Sequence, residues 1–528
     1  MTARPHAPNG GGVTSLGTHT DTDVLVVGAG PTGLLLACEL ALAGVRTLVA
    51  ERRDAPHRES RALNLHPRGI ELMDMRGLAG RFLARGRTVP GWQFTATLPH
   101  RLDFTALDTR HPYALLLAQA RTEALLEERA RELGVRIRRA HRVVALGRSS
   151  SGVDAELRGP GGTVTVRAGY VVGCDGGRSF VREAAGIGFP GTRESMTAVV
   201  GDFAVADHAH IERARRHGVL VARLEEGLTR FVVMDPLRIR VPSTEPVTLA
   251  EFRASLSRVC GTDCGIGEPR WLSRFGNATR LAESYRRGRI LLAGDAAHVH
   301  FPVGAQGLNT GLQDAMNLGW KLAATVRGWA PPGLLDTYHR ERHPVGRAVT
   351  DGTRAQTLLV ELPLTEEYGR PAALLCELLD TLLGMTEVNR HLAGRISALD
   401  TRYPPAAPDA DPLSGLRMPD IGLTTSAAGR AVRVYELLRD GRFVLLRLGR
   451  DGGPGPPAIG DRVRVVTARS HDGHRDLEGV REVLVRPDGH IAWAGRAGGP
   501  RALGAERSRA LAAWAGSGTG SVGQASTP

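Results

Sequence analysis

The sequence predicts an α/β protein built around a parallel sheet, because three short apolar segments each end at a turn that contains glycine. These segments are residues 24–27, 171–172 and 290–293, and each has the continuous apolar run typical of a strand buried on both faces. A helical segment, 34–42, follows the first strand. Between 190 and 275, apolar residues instead recur at every second position. We therefore expect a separate antiparallel sheet inserted into the α/β domain.

The first strand and helix carry the pattern of a dinucleotide-binding βαβ unit. Gly28, Gly30 and Gly33 form a G-x-G-x-x-G motif that permits a tight turn, close approach of a pyrophosphate and close helix–strand packing. The helix N-terminus offers free N–H groups to phosphate. A second strand, 45–50, ends at Glu51, whose carboxylate can accept hydrogen bonds from ribose hydroxyls. A glycine-rich turn without a ligand is the alternative, but it leaves the carboxylate unexplained.

Composition argues against a nucleic-acid-binding protein. The 528-residue chain has a formal net charge of +13, but only 5% of its residues are aromatic. Lys321 is the only lysine, so almost all positive charge is arginine, which with 66 glycines and 31 prolines indicates a GC-rich coding sequence. The arginines are scattered rather than clustered. We expect the positive field to attract an anionic cofactor such as NADPH.

The cysteines and the first residues predict a cytoplasmic protein. Five cysteines, an odd number, and the lack of a signal peptide fit a reducing compartment. Cys260 and Cys264 have no second Cys/His pair nearby, so we expect no metal site. No apolar segment has the length needed to span a membrane. Residues 1–20 are polar and are predicted to form a disordered tail.

Changes of pattern along the chain predict its domain organisation. Within the first α/β part, a helix is expected over 122–133 with Thr122 as its N-cap. A Pro/Ala/Asp-rich stretch, 404–413, reads as a linker. The predicted segments are 1–20 (disordered tail), 21–189 (first part of the nucleotide-binding domain, with strands of the substrate domain near 86–117), 190–275 (antiparallel sheet domain), 276–345 (second part of the nucleotide-binding domain), 346–403 (helical segment) and 404–528 (linker and a small α/β domain).

Two further turns follow the other buried strands of the predicted parallel sheet. In the first, CDGGRS at 174–179, Asp175 opens an Asp-Gly turn before a short helix. The second begins with Gly294 and Asp295 and continues through the loop 300–309 into a helix. Both turns therefore place an aspartate beside a glycine at the end of a buried strand.

At these three sites taken together, the sequence resembles the flavin-dependent aromatic hydroxylases of the p-hydroxybenzoate hydroxylase type. The motifs are GAGPTG (28–33), CDGGRS (174–179) and GDAAHVHFPVGAQGLNTG (294–311), and the resemblance covers roughly residues 22–345. It implies a Rossmann-like FAD-binding domain of the glutathione reductase type with an inserted substrate domain. The final segment is similar to the thioredoxin-like C-terminal domain of the subgroup that acts on aromatic polyketides. No cysteine follows Cys376, so dithiol chemistry is excluded there, and we expect a role in packing or dimer contact.

The resemblance implies which residues bind FAD. Glu51 is expected to hold the adenosine ribose, and Asp295, in a largely buried site, a ribityl hydroxyl; capping of its own turn is the alternative for Asp295. The N–H groups of Leu308 and Asn309 are expected to stabilise negative charge at the flavin pyrimidine ring. The expected cofactor-binding residues are Gly28, Gly30, Pro31, Thr32, Gly33, Glu51, Arg52, Arg61, Gln119, Val143, Asp175, Gly294, Asp295, Pro302, Gly304, Gly307, Leu308 and Asn309.

The remaining expected contacts are spread over the α/β domain. The resemblance places Arg52 and Arg61 near the phosphates and the ribityl chain, although both could equally be surface arginines. It places Gln119 at the ribityl region and the backbone of Val143 at the adenine. The carboxylate of Asp175 is expected to order the pyrophosphate loop.

The loop 300–309 is expected to lie beside the isoalloxazine ring. The resemblance implies that Pro302, Gly304 and Gly307 shape this loop. His298 and His300 are polar residues of the same motif, but loop histidines beside a flavin are more often structural. The catalytic residues therefore stay unassigned.

The implied activity is hydroxylation of an aromatic polyketide or another polycyclic phenol or quinone, in antibiotic-type secondary metabolism. NADPH or NADH would reduce FAD, and O₂ would form a C4a-hydroperoxyflavin that oxidises the substrate in a site that excludes water. The alternatives are a Baeyer–Villiger oxygenase, a rifampicin-type monooxygenase, a flavin dehydrogenase or oxidase, and a binding protein that keeps the flavin fold. We expect a monomer or homodimer with no nucleic-acid or membrane partner.

Overall fold

The structure is a computed structural model that describes residues 20–56, 62–205, 208–224, 227–426, 429–449, 460–470, 474–496 and 500–516. Arg61 lies outside the described residues, and so does the expected N-terminal tail except for Thr20, which begins the first strand.

Residues 20–184 contain the first part of the parallel sheet and the helices that cover it. The strands are β1 (Thr20–Val27), β2 (Thr47–Ala50), β3 (Asn64–Leu65), β4 (Arg87–Val89), β5 (Gly91–Gln93), β6 (Arg101–Asp103), β7 (Ala114–Leu116), β8 (Arg136–Arg138), β9 (Arg142–Arg148), β10 (Val153–Gly159) and β11 (Gly162–Gly173). The helices are α1 (Pro31–Leu42), α2 (Pro67–Asp74), α3 (Ala79–Leu83), α4 (Gln119–Glu132) and α5 (Phe180–Ala184).

Helix α4 begins three residues before the position predicted from Thr122. Its N-cap is Ala118, and Thr122 is a buried residue inside the helix. The earlier start follows from a tertiary contact, since the N–H of Gln119 donates to the carbonyl oxygen of Ala62 at 3.0 Å. The prediction that Thr122 caps this helix was wrong.

The antiparallel sheet expected between 190 and 275 is present. The elements between residues 191 and 299 are β12 (Gly191–Thr192), β13 (Thr197–Ala204), α6 (His208–Arg216), β14 (Leu220–Arg223), β15 (Leu228–Val233), α7 (Leu249–Cys260), β16 (Trp271–Gly276), β17 (Thr279–Leu281), β18 (Arg286–Arg287), β19 (Ile290–Leu292) and β20 (His298–Val299). Strands β13 to β16 pair in the order β14-β15-β13-β16, every neighbouring pair antiparallel. Val199, Phe203 and Phe231 pack from one face of this sheet against Phe252 of α7.

The central sheet has β1 in its middle, between two parallel neighbours. Its order is β18-β19-β11-β1-β2-β8, and the hairpin β9–β10 extends it from β11. Val24, Leu25 and Val26 are completely buried, as expected for a central strand that is covered on both faces. The carboxyl ends of β1, β11 and β19 therefore lie side by side, and each of them leads into one of the three glycine-containing turns.

Four helices follow the central sheet: α8 (Gly307–Val326), α9 (Thr337–Glu361), α10 (Gly369–Leu383) and α11 (Thr386–Ser397). Helix α8 is almost entirely buried, and it packs against α1 and α9. None of the helices in the described residues combines the length and the apolar character needed to cross a membrane.

A six-stranded mixed sheet forms the C-terminal domain. Its elements are β21 (Gly422–Thr425), β22 (Ala431–Arg433), α12 (Val434–Leu437), β23 (Phe443–Leu448), β24 (Val463–Ser470), β25 (Val480–Val485), β26 (Ile491–Arg496) and α13 (Pro500–Ala515). The strand order is β22-β21-β24-β23-β25-β26, with β23 and β24 parallel. Trp320 of α8 lies in one apolar cluster with Phe443, Leu484 and Trp514, so the C-terminal domain shares a core with helix α8.

Candidate functional site

The turn between β1 and α1 has the geometry that its glycine spacing predicts. Gly28 has φ +107°, and a Cβ there would lie 2.4 Å from the carbonyl oxygen of Cys174. A Cβ on Gly33 would lie 2.1 Å from the carbonyl oxygen of Gly28. At Gly30, the N-cap of α1, no described atom lies within 4 Å of the Cβ position. The outer glycines thus close the turn, and the middle one leaves the helix N-terminus open to an anion.

Glu51 is held beside this turn at the end of β2. Its Oε2 accepts the N–H of Ala29 at 2.8 Å, and its Oε1 accepts the N–H of Arg53 at 3.0 Å. The residue is 7% exposed. Each carboxylate oxygen has a second lone pair, so both can accept a further hydrogen bond from a ribose hydroxyl.

Pro31 and Thr32 connect the first turn with the third. Pro31 takes the first helical position, where a missing N–H costs nothing. A Cβ on Gly294 would lie 2.7 Å from Thr32 Oγ1, and one on Gly311 would lie 2.3 Å from it. Thr32 therefore fills the contact between α1 and the two glycines around α8.

Asp175 organises the second turn from within. Its Oδ1 accepts the hydroxyl of Ser179 at 2.5 Å, and its Oδ2 accepts the N–H of Val181 at 3.1 Å. Burial raises the pKa of Asp175, although these hydrogen bonds oppose the shift. Arg182 then bridges to the third turn, because its Nη1 donates to the carbonyl oxygen of Ala296 at 3.1 Å.

The third turn, Gly294–Ala296, directs Asp295 outward. Gly294 has φ +63°, and its N–H donates to Asp314 Oδ2 at 3.0 Å inside the protein. The side chain of Asp295 is exposed, whereas a largely buried site was expected. The difference has a physical reason: Asp314 and Thr32 occupy the inner side of the turn, so the Asp295 carboxylate lies on its open side.

A buried ionic cluster beneath this turn was not anticipated from the sequence. Asp314 accepts His298 Nε2 at 2.8 Å through Oδ2 and Arg342 Nε at 2.7 Å through Oδ1. All three side chains are at most 1% exposed. Burial alone would raise the pKa of Asp314, but Arg342 and His298 outweigh it and lower that pKa. The only available signal was the position of Asp314 between Leu312 and Ala315–Met316 in the predicted helix.

The third turn continues into the ring loop, which we define as residues 300–309. Pro302 is exposed, and Gly304 has φ +68° within the 3₁₀ turn Val303–Ala305. Helix α8 begins at Gly307, so Leu308 and Asn309 occupy its second and third positions. Backbone N–H groups at these positions have no intrahelical carbonyl partner and point out of the helix end.

His66 fixes the ring loop, and sequence reasoning missed this role. Its Nε2 lies 2.8 Å from the carbonyl oxygen of Gly304, and its backbone N–H donates to Asn309 Oδ1 at 2.8 Å. Trp92 and Phe104 contact the imidazole edge-on. Burial lowers the pKa of His66 to about 4, so the ring is neutral and donates from Nε2. The signal could only have been its place before Pro67 in an otherwise apolar segment.

The two histidines of the third motif both make contacts inside the protein. His298 is the buried partner of Asp314. His300 donates from Nδ1 to the carbonyl oxygen of Phe301 at 2.9 Å, and burial lowers its pKa to about 4. Its Nε2 is buried and has no hydrogen-bond partner among the described residues.

The other expected FAD contacts in the described residues are Arg52, Gln119 and Val143. Arg52 is exposed directly after Glu51. Gln119 donates to Glu123 Oε1 at 2.7 Å, and burial, together with the charge of Glu51, raises the pKa of Glu123. The side chain of Val143 is buried in the core and its strand pairs with β10, which leaves only the backbone for a ligand.

An apolar wall faces the ring loop from the antiparallel sheet. Met196, Ala198 and Phe275 form one cluster with Phe301 and Val303 of the loop. The rings of Phe275 and Phe301 are 5.5 Å apart between centroids. Along each strand the alternate residues pack against α7, so this wall is the opposite face of the sheet.

The three turns together fit the pyrophosphate and ribityl chain of FAD. No described atom lies within 4 Å of the Cβ positions of Gly30 and Gly176, which leaves a cradle along the carboxyl edge of the sheet. Helices α1 and α8 both direct their N-termini toward this edge. Near the ring loop, Asn64 Oδ1 and His300 Nε2 are buried polar atoms without a partner in the described part of the chain.

Comparisons with known proteins agree with this fit. Residues 21–353 match the family described as FAD binding domain, and residues 411–518 match the family described as aromatic-ring hydroxylase, C-terminal. The chain is 46% identical over 487 residues to the 12-dehydrotetracycline 5-monooxygenase/anhydrotetracycline 6-monooxygenase of Streptomyces rimosus subsp. rimosus, which covers 89% of this chain and 95% of that protein. It is 45% identical over 486 residues to the rifampicin monooxygenase of Streptomyces venezuelae, with coverage of 90% and 95%.

A solved structure extends the likeness to the whole fold. The anhydrotetracycline hydroxylase from Streptomyces rimosus has a TM-score of 0.84 and 44% identity, and the match covers 94% of this chain and 100% of that one. The fold and the three turns define an FAD-dependent oxidoreductase. More narrowly, the chain belongs to the family of FAD-dependent aromatic-ring hydroxylases, and it is a flavoprotein monooxygenase. The resemblance drawn from the three motifs is thereby confirmed.

Proposed function

We propose that this protein uses NADPH or NADH and O₂ to hydroxylate a polycyclic aromatic polyketide phenol or quinone in antibiotic-type secondary metabolism. The observation that carries the proposal is the apolar cluster in which Met196, Ala198 and Phe275 of the sheet pack against Phe301 and Val303 of the ring loop. Apolar surroundings beside the ring loop suit the face of a fused-ring substrate, whose burial contributes about 25 cal/mol per Å². The relatives named as monooxygenases of anhydrotetracycline and of rifampicin favour the same class.

The residues of the three turns would divide the cofactor between them. The cradle at Gly30 would take the pyrophosphate, Glu51 the adenosine ribose, and Asp295 a ribityl hydroxyl. The free N–H groups of Leu308 and Asn309 would stabilise negative charge at the pyrimidine end of the ring. The other proposed FAD contacts are Arg52, Arg61, Gln119 and Val143.

When bound, FAD supplies hydride acceptance and activation of O₂, which no protein side chain provides. The chain's own residues position the ring and exclude water. His66 holds Gly304 and Asn309 in place, and the wall that includes Phe275 and Phe301 keeps the ring loop apolar. Burial lowers the pKa of His66 and of His300 to about 4, which favours the neutral form of both imidazoles near pH 7.

A substrate panel tests the proposed function. The protein loaded with FAD is mixed with NADPH or NADH and either anhydrotetracycline, rifampicin or p-hydroxybenzoate, under ¹⁸O₂. We expect the tetracyclic phenol to accelerate NADPH oxidation and to gain one ¹⁸O atom without ring expansion. A ring-expanded lactone would establish the Baeyer–Villiger alternative, and turnover with rifampicin alone would establish the antibiotic-inactivating one. Stimulation by p-hydroxybenzoate alone would refute the substrate class.

Asp295→Ala tests the proposed cofactor site. One hydrogen bond from a ribityl hydroxyl to an exposed carboxylate is worth about 1.5 kcal/mol, so we expect FAD affinity to fall about tenfold. The matched control is Asp351→Ala, an exposed aspartate on α9 away from the three turns. Equal FAD dissociation constants for both variants, measured by quenching of flavin fluorescence, would show that Asp295 only caps its turn.

Two further properties belong to this proposal. All five cysteines are free thiols, which supports a reducing, cytoplasmic setting. We propose a monomer or homodimer that works without nucleic acid or membrane. Sedimentation of the purified protein with FAD distinguishes the two oligomeric states.

A further inference from the structure

The turn between β25 and β26 leaves the C-terminal domain and enters the FAD-binding domain. We call Arg486–His490 the hairpin tip. Arg486, Asp488 and His490 are each at most 2% exposed. A Cβ on Gly489 would lie 2.5 Å from the sulfur of Met75 in the FAD-binding domain. The hairpin tip is therefore enclosed by the neighbouring domain rather than laid on its surface.

The hairpin tip joins a buried group of balanced charges. Arg486 donates to both carboxylate oxygens of Glu341 at 2.9 and 2.8 Å, and to Asp488 at 3.1 and 2.5 Å. Lys321 donates to Glu341 Oε2 at 2.7 Å. Two basic and two acidic side chains thus share one buried site, in which burial lowers the pKa of Lys321 to about 7. Such groups hold a fixed geometry, because a displaced member would leave an uncompensated buried charge.

A second path runs from the hairpin tip to the third turn. The rings of His490 and Tyr403 stack with centroids 4.2 Å apart. The Tyr403 hydroxyl accepts Arg342 Nη1 at 3.2 Å, and Arg342 Nε donates to Asp314 at 2.7 Å. Asp314 accepts the N–H of Gly294 at 3.0 Å. Arg342 also directly follows Glu341 in α9, so the ion pairs of the hairpin tip and the contacts that lead to the third turn meet on one turn of that helix.

We propose that Tyr403 and the hairpin tip are positioning groups for the flavin site. They hold the Arg342 guanidinium in the orientation that fixes Asp314 beneath the Gly294 turn. The Gly294 turn then presents Asp295 to the cofactor. The C-terminal domain thereby acts on FAD binding through a chain of direct contacts, although it contributes no residue to the cradle. The inference rests on the proposed placement of FAD at the Gly294 turn.

The test compares two tyrosines that each lose one buried hydroxyl. Tyr403→Phe removes the bond from Arg342 and keeps the ring that stacks on His490. The matched control is Tyr435→Phe, because Tyr435 is also buried and its hydroxyl donates to the carbonyl oxygen of Met418 at 2.9 Å. Both variants should lose similar thermal stability, so stability cannot distinguish them. FAD dissociation constants of the full-length proteins, from flavin fluorescence, provide the distinguishing measurement.

We expect Tyr403→Phe to weaken FAD binding about threefold to tenfold and Tyr435→Phe to change it less than about twofold. A double-mutant cycle with Asp314→Asn should be non-additive, because the hydroxyl acts on FAD only through Arg342 and Asp314. Equal FAD affinities of the two tyrosine variants, or additive effects in the cycle, would overturn the inference. If instead Asp295→Ala leaves FAD affinity unchanged while the tyrosine variants differ, the proposed cofactor placement fails rather than the coupling.

Discussion

Gly30 and Gly33 belong to one motif, but their surroundings predict opposite consequences of the same substitution. A Cβ on Gly33 would lie 2.1 Å from a backbone oxygen that cannot move, whereas the Cβ position of Gly30 is open. We expect Gly33→Ala to destabilise the apoprotein by about 1–3 kcal/mol through overpacking. Gly30→Ala should keep the stability of the apoprotein and lose FAD affinity, because its methyl group enters the cradle.

Thermal unfolding of the apoproteins and FAD titration separate the two effects. Gly80→Ala, at another position with open space around it but inside helix α3, should leave FAD affinity unchanged and stabilise the apoprotein by up to about 1 kcal/mol, because alanine has the higher helix propensity. Normal FAD affinity in Gly30→Ala would mean that the pyrophosphate binds elsewhere.

The lowered pKa of His300 predicts that the free energy of unfolding decreases at acidic pH. Its pKa is lowered from 6.5 to about 4 in the folded protein, so the unfolded chain binds more protons between those two values. The free energy of unfolding should therefore fall as pH drops from 6.5 to 4. In His300→Phe the slope over this window should decrease by up to about 1.4 kcal/mol per pH unit. Urea unfolding of the apoproteins at several pH values measures it, and an unchanged slope would show that this ring is charged in the fold.

The ring loop depends on β3 and α2 for its shape. In His66→Phe the hydrogen bond to Gly304 is lost, which costs about 1 kcal/mol and lets the loop open to water more often. We expect a larger share of the oxidised NADPH to appear as H₂O₂ instead of hydroxylated product. Tyr113→Phe, which removes a single bond to His111 outside the loop, should keep the wild-type share. Equal H₂O₂ yields from the two variants would contradict the role of His66.

The two domains are joined by charges that neither could bury alone. Arg486→Met leaves Glu341 and Asp488 without their main partner, and we expect a loss of about 3–5 kcal/mol. Arg464→Met breaks an ion pair with Asp440 whose side chains are 34% and 31% exposed, and it should cost at most about 1 kcal/mol. Denaturant unfolding of both proteins measures the difference. Similar losses in the two variants would mean that the hairpin tip tolerates substitution like a surface.

The sequence alone was sufficient to predict the main strands of the parallel sheet, the first helix and the three turns. Apolar periodicity located β1, α1, β11 and β19, because strands and helices bury faces with fixed local spacing. The glycines of the first turn could also be predicted from the sequence, because a positive φ angle or a close backbone contact at these positions allows few other residues. Helix α4 shows the limit: its start was set by a contact of Gln119 with Ala62, and the local capping signal at Thr122 failed.

Only the tertiary structure decided which polar side chains act together. Arg342 and Asp314 are 28 residues apart, His66 and Gly304 are 238 apart, and Arg486 and Glu341 are 145 apart. A charged residue in a helix is read locally as surface, and its burial becomes visible only when its partner arrives from a distant segment. The exposure of Asp295 has the same origin, because Asp314 occupies the inner side of its turn. Local spacing therefore determined the cradle for FAD, and long-range charge pairing determined how that cradle is held.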